Sequence, residues 1–328
     1  MDAIETHKLT KKFGPVTAVD GLDIQIPYGQ VFGLLGPNGA GKSTTLNMLC
    51  TILRQTSGSA SVGGHDIATE ADAVRHSIGI VFQDPSIDDK LTGMENMELH
   101  AALYGLSQQE TRDRIKELLE LVELTEKAGM LMRTYSGGMR RRLELARGLL
   151  HHPKILFLDE PTIGLDPQTR EHIWKYIEDL IRKENITVVL TTHYMEEADR
   201  LCDRVGIIDA GKIVALDTPA ALKQTLGGDV VTASVSDPKR FIEALCKQHP
   251  TLKATLTDGK FRLAMPSGDR FIPNLVRLAD SLGMKIDSIS VQHPTLNDVF
   301  LHYTGHEIRE ETGKSLGTMG MVRRRQIK

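Results

Sequence analysis

The chain has 328 residues, and its 40 Lys and Arg residues nearly balance its 43 Asp and Glu residues, which leaves a formal net charge of -3 at pH 7. This balance excludes the strongly basic character that is typical of nucleic-acid-binding proteins, so we expect no nucleic-acid partner. The length favours two domains over one. No apolar run approaches the roughly 20 residues that cross a bilayer, so the sequence predicts that the chain has no transmembrane segment of its own. Any membrane role is therefore expected to come through a partner.

Short β-strands are predicted along the first domain. Residues 3–9 and 16–26 alternate imperfectly between apolar and polar side chains, which is typical of strands with one buried face. Five later runs are continuously apolar, as expected of strands that are covered on both faces of a parallel sheet. These runs are residues 31–35, 78–82, 155–159, 187–191 and 205–209. Because helical patterns separate several of them, the sequence predicts an α/β domain over residues 1–226 with a mostly parallel sheet.

The strand pattern is interrupted between about residues 84 and 152. Within this region, Ile115, Leu118, Leu119 and Val122 form the apolar stripe of an amphipathic helix. The sequence therefore predicts a helical insertion (residues 84–152) within the α/β domain.

A second, smaller domain is predicted over residues 229–304. Gly227 and Gly228 mark its boundary, because paired glycines favour a turn or loop. The pattern that follows is strand, helix, strand, strand, helix and strand, with a final helix from Pro294. This order is that of a small α+β domain of the ferredoxin-like type. Residues 305–328 lack periodicity, and we expect them to form a disordered basic tail.

A phosphate-binding loop is predicted directly after the first of the apolar runs. Residues 36–43, GPNGAGKS, match the P-loop pattern, and Leu46, Leu49 and Leu53 form the apolar stripe of a helix that follows. Glycines let backbone N–H groups converge on phosphate oxygens, and the helix N-terminus adds about half a positive charge. The pattern therefore predicts a nucleotide site at this strand-to-helix turn.

The P-loop assigns residues to ATP and to Mg²⁺. Lys42 is expected to bind the β and γ phosphates, and the hydroxyl group of Ser43 is expected to ligate Mg²⁺. The residues predicted to bind ATP here are Gly36, Pro37, Asn38, Gly39, Ala40, Gly41, Lys42, Ser43 and Thr44.

Two carboxylates occupy the end of another apolar run. Asp159 closes the run and Glu160 follows it, so both are expected where open α/β sheets bind their ligands. Asp159 can hold Mg²⁺ across from Ser43, and Glu160 can align a water molecule for attack on the γ phosphate. Alone, an Asp-Glu pair before a proline is more often a turn or a helix cap. Beside a P-loop, a catalytic pair is the better interpretation.

Three further residues have both a functional and a structural interpretation. His193 follows an apolar run and can bond the γ phosphate or orient Glu160. Gln83 has the same placement, and its functional role would be to sense Mg²⁺ and the attacking water. Phe13 can stack on the adenine ring. The alternative for each is an ordinary structural residue, so their assignment depends on the whole set.

A second glycine-rich turn, YSGGM, begins at Tyr135 and precedes an arginine-rich helix. Together with the P-loop, Gln83, Asp159 and His193, it gives the first two-thirds of the chain a motif order that resembles the nucleotide-binding subunits of ABC transporters. By this resemblance, SGGM (residues 136–139, the signature turn) is the signature motif, and GLDP, which contains Asp166, is the D-loop. The C-terminal stretch HPTLNDVFLHYTG is similar to that of the ATP-binding subunits of daunorubicin-resistance type exporters.

The resemblance implies a head-to-tail dimer. The signature turn of one subunit closes over the γ phosphate that the P-loop of the other subunit holds, so Ser136, Gly137 and Gly138 would bind ATP in trans. A helix starting near Met139 would add the positive end of its dipole. The commonest signature has glutamine where this chain has Met139, so no amide contact to the nucleotide is expected from that side chain. ATP binding would thus cause dimerisation, and hydrolysis would release the dimer.

The resemblance also implies the function. The chain is expected to be the ATP-hydrolysing subunit of an ABC exporter for drug-like or lipophilic cargo. Its fold is expected to include an antiparallel β subdomain, and its second nucleotide-binding subunit is expected to be identical. A separate membrane permease would dock at the helical insertion and the segment after Gln83, which gives a cytoplasmic, peripheral location at the inner face of the cell membrane. The alternative is a soluble ABC ATPase acting on the ribosome or on DNA. Relatives of those classes usually carry a long coiled coil or two cassettes, whereas this sequence has one cassette and one modest helical region.

Overall fold

The computed structural model describes residues 2–184, 186–249, 252, 254–257, 260–265 and 267–305. Within this part, the chain forms three β-sheets that are packed against helices. The strands are β1 (Asp2–Phe13), β2 (Val16–Pro27), β3 (Val31–Leu35), β4 (Ser57–Val62), β5 (His65–Asp66), β6 (Ile78–Val81), β7 (Ile155–Asp159), β8 (Thr187–Thr192), β9 (Arg204–Asp209), β10 (Lys212–Asp217), β11 (Asp229–Val235), β12 (Ala254–Thr257), β13 (Lys260–Met265) and β14 (Ile286–Gln292). The helices are α1 (Lys42–Leu49), α2 (Ala71–Ser77), α3 (Gly93–Leu103), α4 (Gln108–Leu121), α5 (Gly137–Gly148), α6 (Pro167–Glu184), α7 (Met195–Leu201), α8 (Pro219–Gln224), α9 (Pro238–Gln248), α10 (Gly268–Ser281) and α11 (Leu296–Thr304).

The central sheet has six strands in the order β10-β9-β3-β8-β7-β6. Its strands from β9 to β6 are parallel, and β10 pairs antiparallel with β9. Every residue of β3, β7 and β8 is buried, which explains their continuously apolar sequence. The predicted α/β core with a mostly parallel sheet is confirmed. The order also brings the carboxyl ends of β3, β8, β7 and β6 to one edge of the sheet.

The first sheet is antiparallel and has the order β2-β1-β4-β5. Leu9 on β1 and the alternating residues Leu22, Ile24 and Ile26 on β2 are buried, so one face of the hairpin packs on the core. The expected antiparallel β subdomain is therefore present. The strands β4 and β5 were not predicted, because their sequence, rich in serine and glycine, carries little apolar signal.

The region that is predicted as a helical insertion contains α3, α4 and α5. Ile115, Leu118 and Leu119 form the buried face of α4, and Val122 is buried just beyond its end. The prediction for the P-loop helix was wrong at Leu53. The helix α1 ends at Leu49, and Leu53 packs against the core from the loop that follows.

The C-terminal part has a small antiparallel sheet in the order β12-β13-β11-β14. The helices α9 and α10 accompany it, and their apolar side chains join those of the sheet in a separate core. Phe241 of α9 and Phe261 of β13 stack in this core with ring centroids 5.0 Å apart. The domain boundary at Gly228 stays a prediction, and the proposed basic tail lies, after Gly305, outside the described residues.

The last helix departs from the sequence prediction. It was expected within the C-terminal domain, but α11 packs against α7, α8 and β10. Its buried side chains Leu296, Val299 and Phe300 are spaced three and four residues apart, and they join the core of the α/β domain. The Thr295 hydroxyl and the Asp298 carboxylate close a capping box at its start. The chain therefore returns to the α/β core after the C-terminal sheet.

This packing predicts a stability effect at Phe300. Replacing this fully buried ring with alanine should lower the free energy of unfolding of the α/β core by about 3–5 kcal/mol, because it leaves a cavity. Urea unfolding followed by the fluorescence of Trp174, the only tryptophan, reports on this core. The control is Leu301→Ala, because the neighbouring Leu301 side chain is 39% exposed. Equal effects of the two substitutions would contradict the packing of α11.

Candidate functional site

The P-loop forms the first wall of the site. It connects β3 to α1, and its glycines are required by close backbone approaches. A Cβ atom on Gly36 would lie 2.3 Å from the carbonyl oxygen of Ile208, and one on Gly41 would lie 2.4 Å from that of Ala18. Gly41 also has a φ of 106°, which side chains rarely allow. The glycines therefore allow the tight backbone path that leads the loop into the start of α1, where a helix N-terminus favours an anion.

A cavity of about 320 Å³ opens beside this loop. Its lining brings together predicted residues from the P-loop, the end of β6 and the end of β7. The lining residues are Ala18, Asn38, Gly39, Gly41, Lys42, Ser43, Thr44, Gln83, Glu160 and Ile163. Ala18 and Ile163 were not predicted, since isolated apolar residues in β2 and after β7 give no chemical signal.

Two hydroxyl groups hold Asp159 at the end of β7, although Asp159 itself does not line the cavity. The hydroxyl group of Ser43 donates to Asp159 Oδ1 at 3.0 Å, and the hydroxyl group of Thr191 donates to the same oxygen. The predicted pairing of Ser43 with Asp159 is thus present in the geometry. A carboxylate and a hydroxyl oxygen are ligand types that Mg²⁺ prefers, so the donor set fits this ion.

The carboxylate of Glu160 lies between two nitrogen groups. Its Oε1 is 3.0 Å from Lys42 Nζ, and its Oε2 is 2.7 Å from His193 Nδ1. Lys42 also donates to the carbonyl oxygens of Gly36 and Pro37 at 2.8 and 3.2 Å. Burial raises the pKa of Glu160, but the His193 hydrogen bond and the Lys42 charge outweigh it and lower the pKa below the ordinary glutamate value. The group is therefore ionised at neutral pH.

Phe13 and Asp166 are among the predicted residues that do not line this cavity. Phe13 ends β1 with 49% of its surface exposed, and Lys11 Nζ lies 5.1 Å from its ring centroid. Asp166 caps α6 by accepting from the backbone N–H and the hydroxyl group of Thr169 at 3.0 and 2.6 Å. The structure thus gives Asp166 a local structural role beside its predicted one.

The signature turn does not line the P-loop cavity of its own chain. It lines a different cavity of about 500 Å³. Ser136 is the N-cap of α5, and its hydroxyl oxygen accepts from the N–H of Met139 at 3.3 Å. The helix starts at Gly137, so the predicted start near Met139 was two residues late. A Cβ atom on Gly138 would lie 2.7 Å from Cγ2 of Thr169, so any side chain there would require the Thr169 side chain or the turn to shift.

A buried carboxylate behind the site was not predicted. Glu197 of α7 accepts from the hydroxyl group of Thr162 at 2.7 Å and from Trp174 Nε1 at 2.9 Å. Burial raises its pKa above the ordinary value, although these hydrogen bonds oppose the shift. The acidic neighbours of His193 on α7 could have suggested it, but nothing in the sequence shows which of them is buried.

Glu197 predicts a pH-dependent stability. A raised pKa in the folded state means that its favourable contribution is present at low pH and is lost as the pH rises through that pKa. Glu197→Gln keeps an oxygen for both donors and removes the buried charge, so we expect a higher Tm than that of the unsubstituted chain at about pH 8. The difference should shrink on acidification. The control is Glu196→Gln, whose side chain is exposed. A lower Tm for Glu197→Gln at the higher pH would contradict the expectation.

No helix in the described part of the chain is both long and apolar enough to cross a membrane.

Comparisons with known proteins identify the family of the chain. The sequence model of the ABC transporter family matches residues 19–163. The daunorubicin/doxorubicin resistance ATP-binding protein DrrA of Streptomyces peucetius is 41% identical over 311 residues, which cover 93% of this chain and 93% of that protein. The linearmycin resistance ATP-binding protein LnrL of Bacillus subtilis is 37% identical over 94% of this chain and 100% of its own length.

A solved structure supports the same fold. A dimeric ATP-binding cassette in a post-hydrolysis state, bound to ADP and Pi, has a TM-score of 0.59 and 29% identity over 66% of this chain and 98% of that one. The P-loop site and these similarities together show that the chain belongs to the ATP-binding proteins of ABC transporters, within the daunorubicin-resistance type, and is the ATP-hydrolysing subunit of an exporter.

Proposed function

We propose that two identical copies of this chain bind ATP head to tail, with the signature turn of each completing the P-loop site of the other. The main support for this proposal is that the P-loop and the signature turn line different cavities of the chain. The P-loop cavity of one chain contains no residue of the signature turn, and that turn lines another surface. With one of each per chain, two-fold symmetry completes both sites. The dimeric state of the related cassette structure supports this arrangement.

The residues around the cavity fit ATP with Mg²⁺. The P-loop residues from Gly36 to Thr44 would hold the phosphates, and Ser43, Asp159 and Gln83 would hold Mg²⁺. When bound, Mg²⁺ would neutralise charge on the β and γ phosphates. In the structure Lys42 pairs with Glu160. When ATP binds, a phosphate oxygen would compete with Glu160 for the ammonium group of Lys42. That exchange frees one carboxylate oxygen of Glu160 to accept a proton from water.

The remaining site residues would orient and stabilise. His193 already contacts Glu160 and would hold that carboxylate in place. Ser136, Gly137 and Gly138 would bind the γ phosphate in trans through a hydroxyl group and the positive end of α5. Phe13 would stack on adenine from its exposed position at the end of β1, and Asp166 would contact the partner subunit.

The permease would dock on the helical insertion. Leu99 and Leu103 lie one turn apart on α3 with 51% and 75% of their surface exposed. Neighbouring exposed leucines are characteristic of a protein contact. The names of the relatives refer to resistance to daunorubicin, doxorubicin and linearmycin, so a drug-like or lipophilic cargo is proposed. The subunit would then lie at the cytoplasmic face of the cell membrane. Its C-terminal domain, for which the ferredoxin-like fold stays a proposal, would support the dimer or regulate it.

A pull-down from detergent-solubilised membranes tests the transporter assignment. The tagged chain should retain a membrane protein, and Leu103→Glu should weaken that retention without changing ATP affinity, because the charge disrupts an apolar contact. The control is Leu256→Glu, on an exposed leucine of the C-terminal sheet. Recovery of ribosomes or DNA in place of a membrane protein would favour the soluble ABC ATPase instead.

A further inference from the structure

Arg141 makes five hydrogen bonds that a role in ATP binding does not explain, because it does not line the P-loop cavity. It lies on α5, one turn after the signature turn, and only 7% of its surface is exposed. Its guanidinium group donates to four backbone carbonyls and one carboxylate. These bonds run from Nε to Pro161 O at 2.7 Å, from Nη1 to Phe82 O at 2.7 Å and Glu144 Oε2 at 2.9 Å, and from Nη2 to Asp159 O at 3.2 Å and Glu160 O at 3.3 Å.

The accepting carbonyl groups lie next to the residues that are proposed to act in hydrolysis. Three of them belong to the consecutive residues Asp159, Glu160 and Pro161, so they include the carbonyl of Glu160 and those of its two neighbours. The fourth, on Phe82, immediately precedes Gln83. Buried carbonyls need donors, and only arginine offers five N–H groups in one rigid plane. A lysine at this position has three donors on one atom and cannot reach all four carbonyls.

Glu160 needs such support because its backbone is strained. Its φ is 48°, in the left-handed region that non-glycine residues rarely adopt. Such a conformation costs about 1–3 kcal/mol and persists only where surrounding bonds fix it. On the amide side, Thr191 accepts from Glu160 N with its carbonyl and hydroxyl oxygens at 3.1 and 3.0 Å. On the carbonyl side, the N–H of Ile163 and Nη2 of Arg141 both donate to Glu160 O, at 3.1 and 3.3 Å, and Arg141 alone extends the support to the carbonyls of Asp159 and Pro161 on either side.

The other end of this connection is the signature turn. α5 starts at Gly137, and Ser136 caps it, so Arg141 moves with the turn as part of one rigid helix. We propose that Arg141 is a positioning residue that ties the signature turn to Glu160 and Gln83 of the same chain. Docking of the turn on the ATP held by the partner then sets the geometry of the carboxylate that acts on the chain's own ATP. This inference rests on the proposed head-to-tail dimer.

The first test separates binding from turnover. Arg141→Gln should lower kcat by about 10²-fold, the size expected from a displaced catalytic group, and leave ATP affinity unchanged because Arg141 does not line the P-loop cavity. The control is Arg140→Gln. Arg140 also lies on α5, but its Nη1 pairs with Asp89 Oδ1 at 2.7 Å, and it lines neither the P-loop cavity nor the cavity at the signature turn. It should keep the kcat of the unsubstituted chain.

A second variant guards against misfolding. Arg141→Gln leaves the buried carboxylate of Glu144 without its ion-pair partner. The double variant Arg141→Gln, Glu144→Gln removes both charges, and it should recover Tm without recovering kcat. Recovery of kcat in the double variant, or an unchanged kcat in Arg141→Gln, would overturn the proposal.

Mixed dimers show whether the Arg141→Gln substitution impairs the site that uses the Glu160 of the same chain or the site that uses its signature turn. In the first mixture, the Arg141→Gln chain meets a large excess of a Glu160→Gln chain, so hydrolysis uses Glu160 of the Arg141→Gln chain and the signature turn of the other. In the second, the unsubstituted chain meets an excess of the chain with both substitutions. Hydrolysis then uses an intact Glu160 and the signature turn of the Arg141→Gln chain.

The reference is the unsubstituted chain with an excess of Glu160→Gln alone. The proposal expects loss of activity in the first mixture and the reference rate in the second. A defect confined to the second mixture would mean that Arg141 serves only its own signature turn, which overturns the inference but keeps the dimer. If the Glu160→Gln chain alone stays monomeric with ATP, the proposed function itself fails.

Discussion

The Gly138→Asp variant is expected to bind ATP with unchanged affinity and to lose hydrolysis. Gly138 does not line the P-loop cavity, so nucleotide binding by the single chain should persist. An added Cβ would lie 2.7 Å from Thr169 Cγ2, and the carboxylate would repel the γ phosphate of the partner. A group delivered in trans contributes about 10³- to 10⁵-fold in phosphoryl transfer, so a loss of this order is expected in kcat. Phosphate release and equilibrium ATP titration measure the two quantities.

The matched control is Gly129→Asp. It adds the same charge to the helical insertion at a glycine whose Cβ would meet nothing within 4 Å. This variant should hydrolyse ATP at the ordinary rate. Substantial hydrolysis by Gly138→Asp would show that the signature turn does not touch the γ phosphate.

The Glu160→Gln variant is expected to accumulate as an ATP-bound dimer. The amide has the shape of the carboxylate but cannot take a proton from water, so hydrolysis should fall by about 10²- to 10⁴-fold. The charge that pairs with Lys42 is also removed, which leaves the ammonium group available to phosphate oxygens. Gel filtration with and without ATP should then show a dimer only with ATP.

Glu171→Gln provides the control for this result. Glu171 is an exposed carboxylate of α6 that pairs with Arg200, outside the cavity. The variant should hydrolyse ATP and should not accumulate as a dimer. A strictly monomeric Glu160→Gln chain at saturating ATP would contradict the head-to-tail proposal.

The predictable part of the site depends on short-range chemistry. The P-loop requires glycine, lysine and serine at fixed offsets, so residues 36–43 indicate both the turn and its ligand. Buried parallel strands are continuously apolar, and the residues that follow them meet at one edge of the sheet. This is why Gln83, Glu160 and the P-loop could be assigned to one cavity from sequence alone.

The remaining features depend on long-range packing. The apolar face of α11 predicts a buried helix, but it does not show which core buries the helix. In the structure α11 joins the α/β core, although the whole C-terminal sheet separates the two along the sequence. Arg141 belongs to an arginine-rich stretch, and neighbouring Arg140 and Arg142 have quite different partners. The three cannot be distinguished by residue type, because only the helix direction decides which one faces β7.

The position of α11 affects the order in which the protein can fold during synthesis. Domains generally fold from the N-terminus as the chain leaves the ribosome. Here the surface formed by α7 and α8 stays uncovered until α11 emerges, well after the P-loop and signature turn have been made. A nascent chain is thus unable to complete its ATP-binding core until α11 has left the ribosome, after the whole C-terminal sheet has been made.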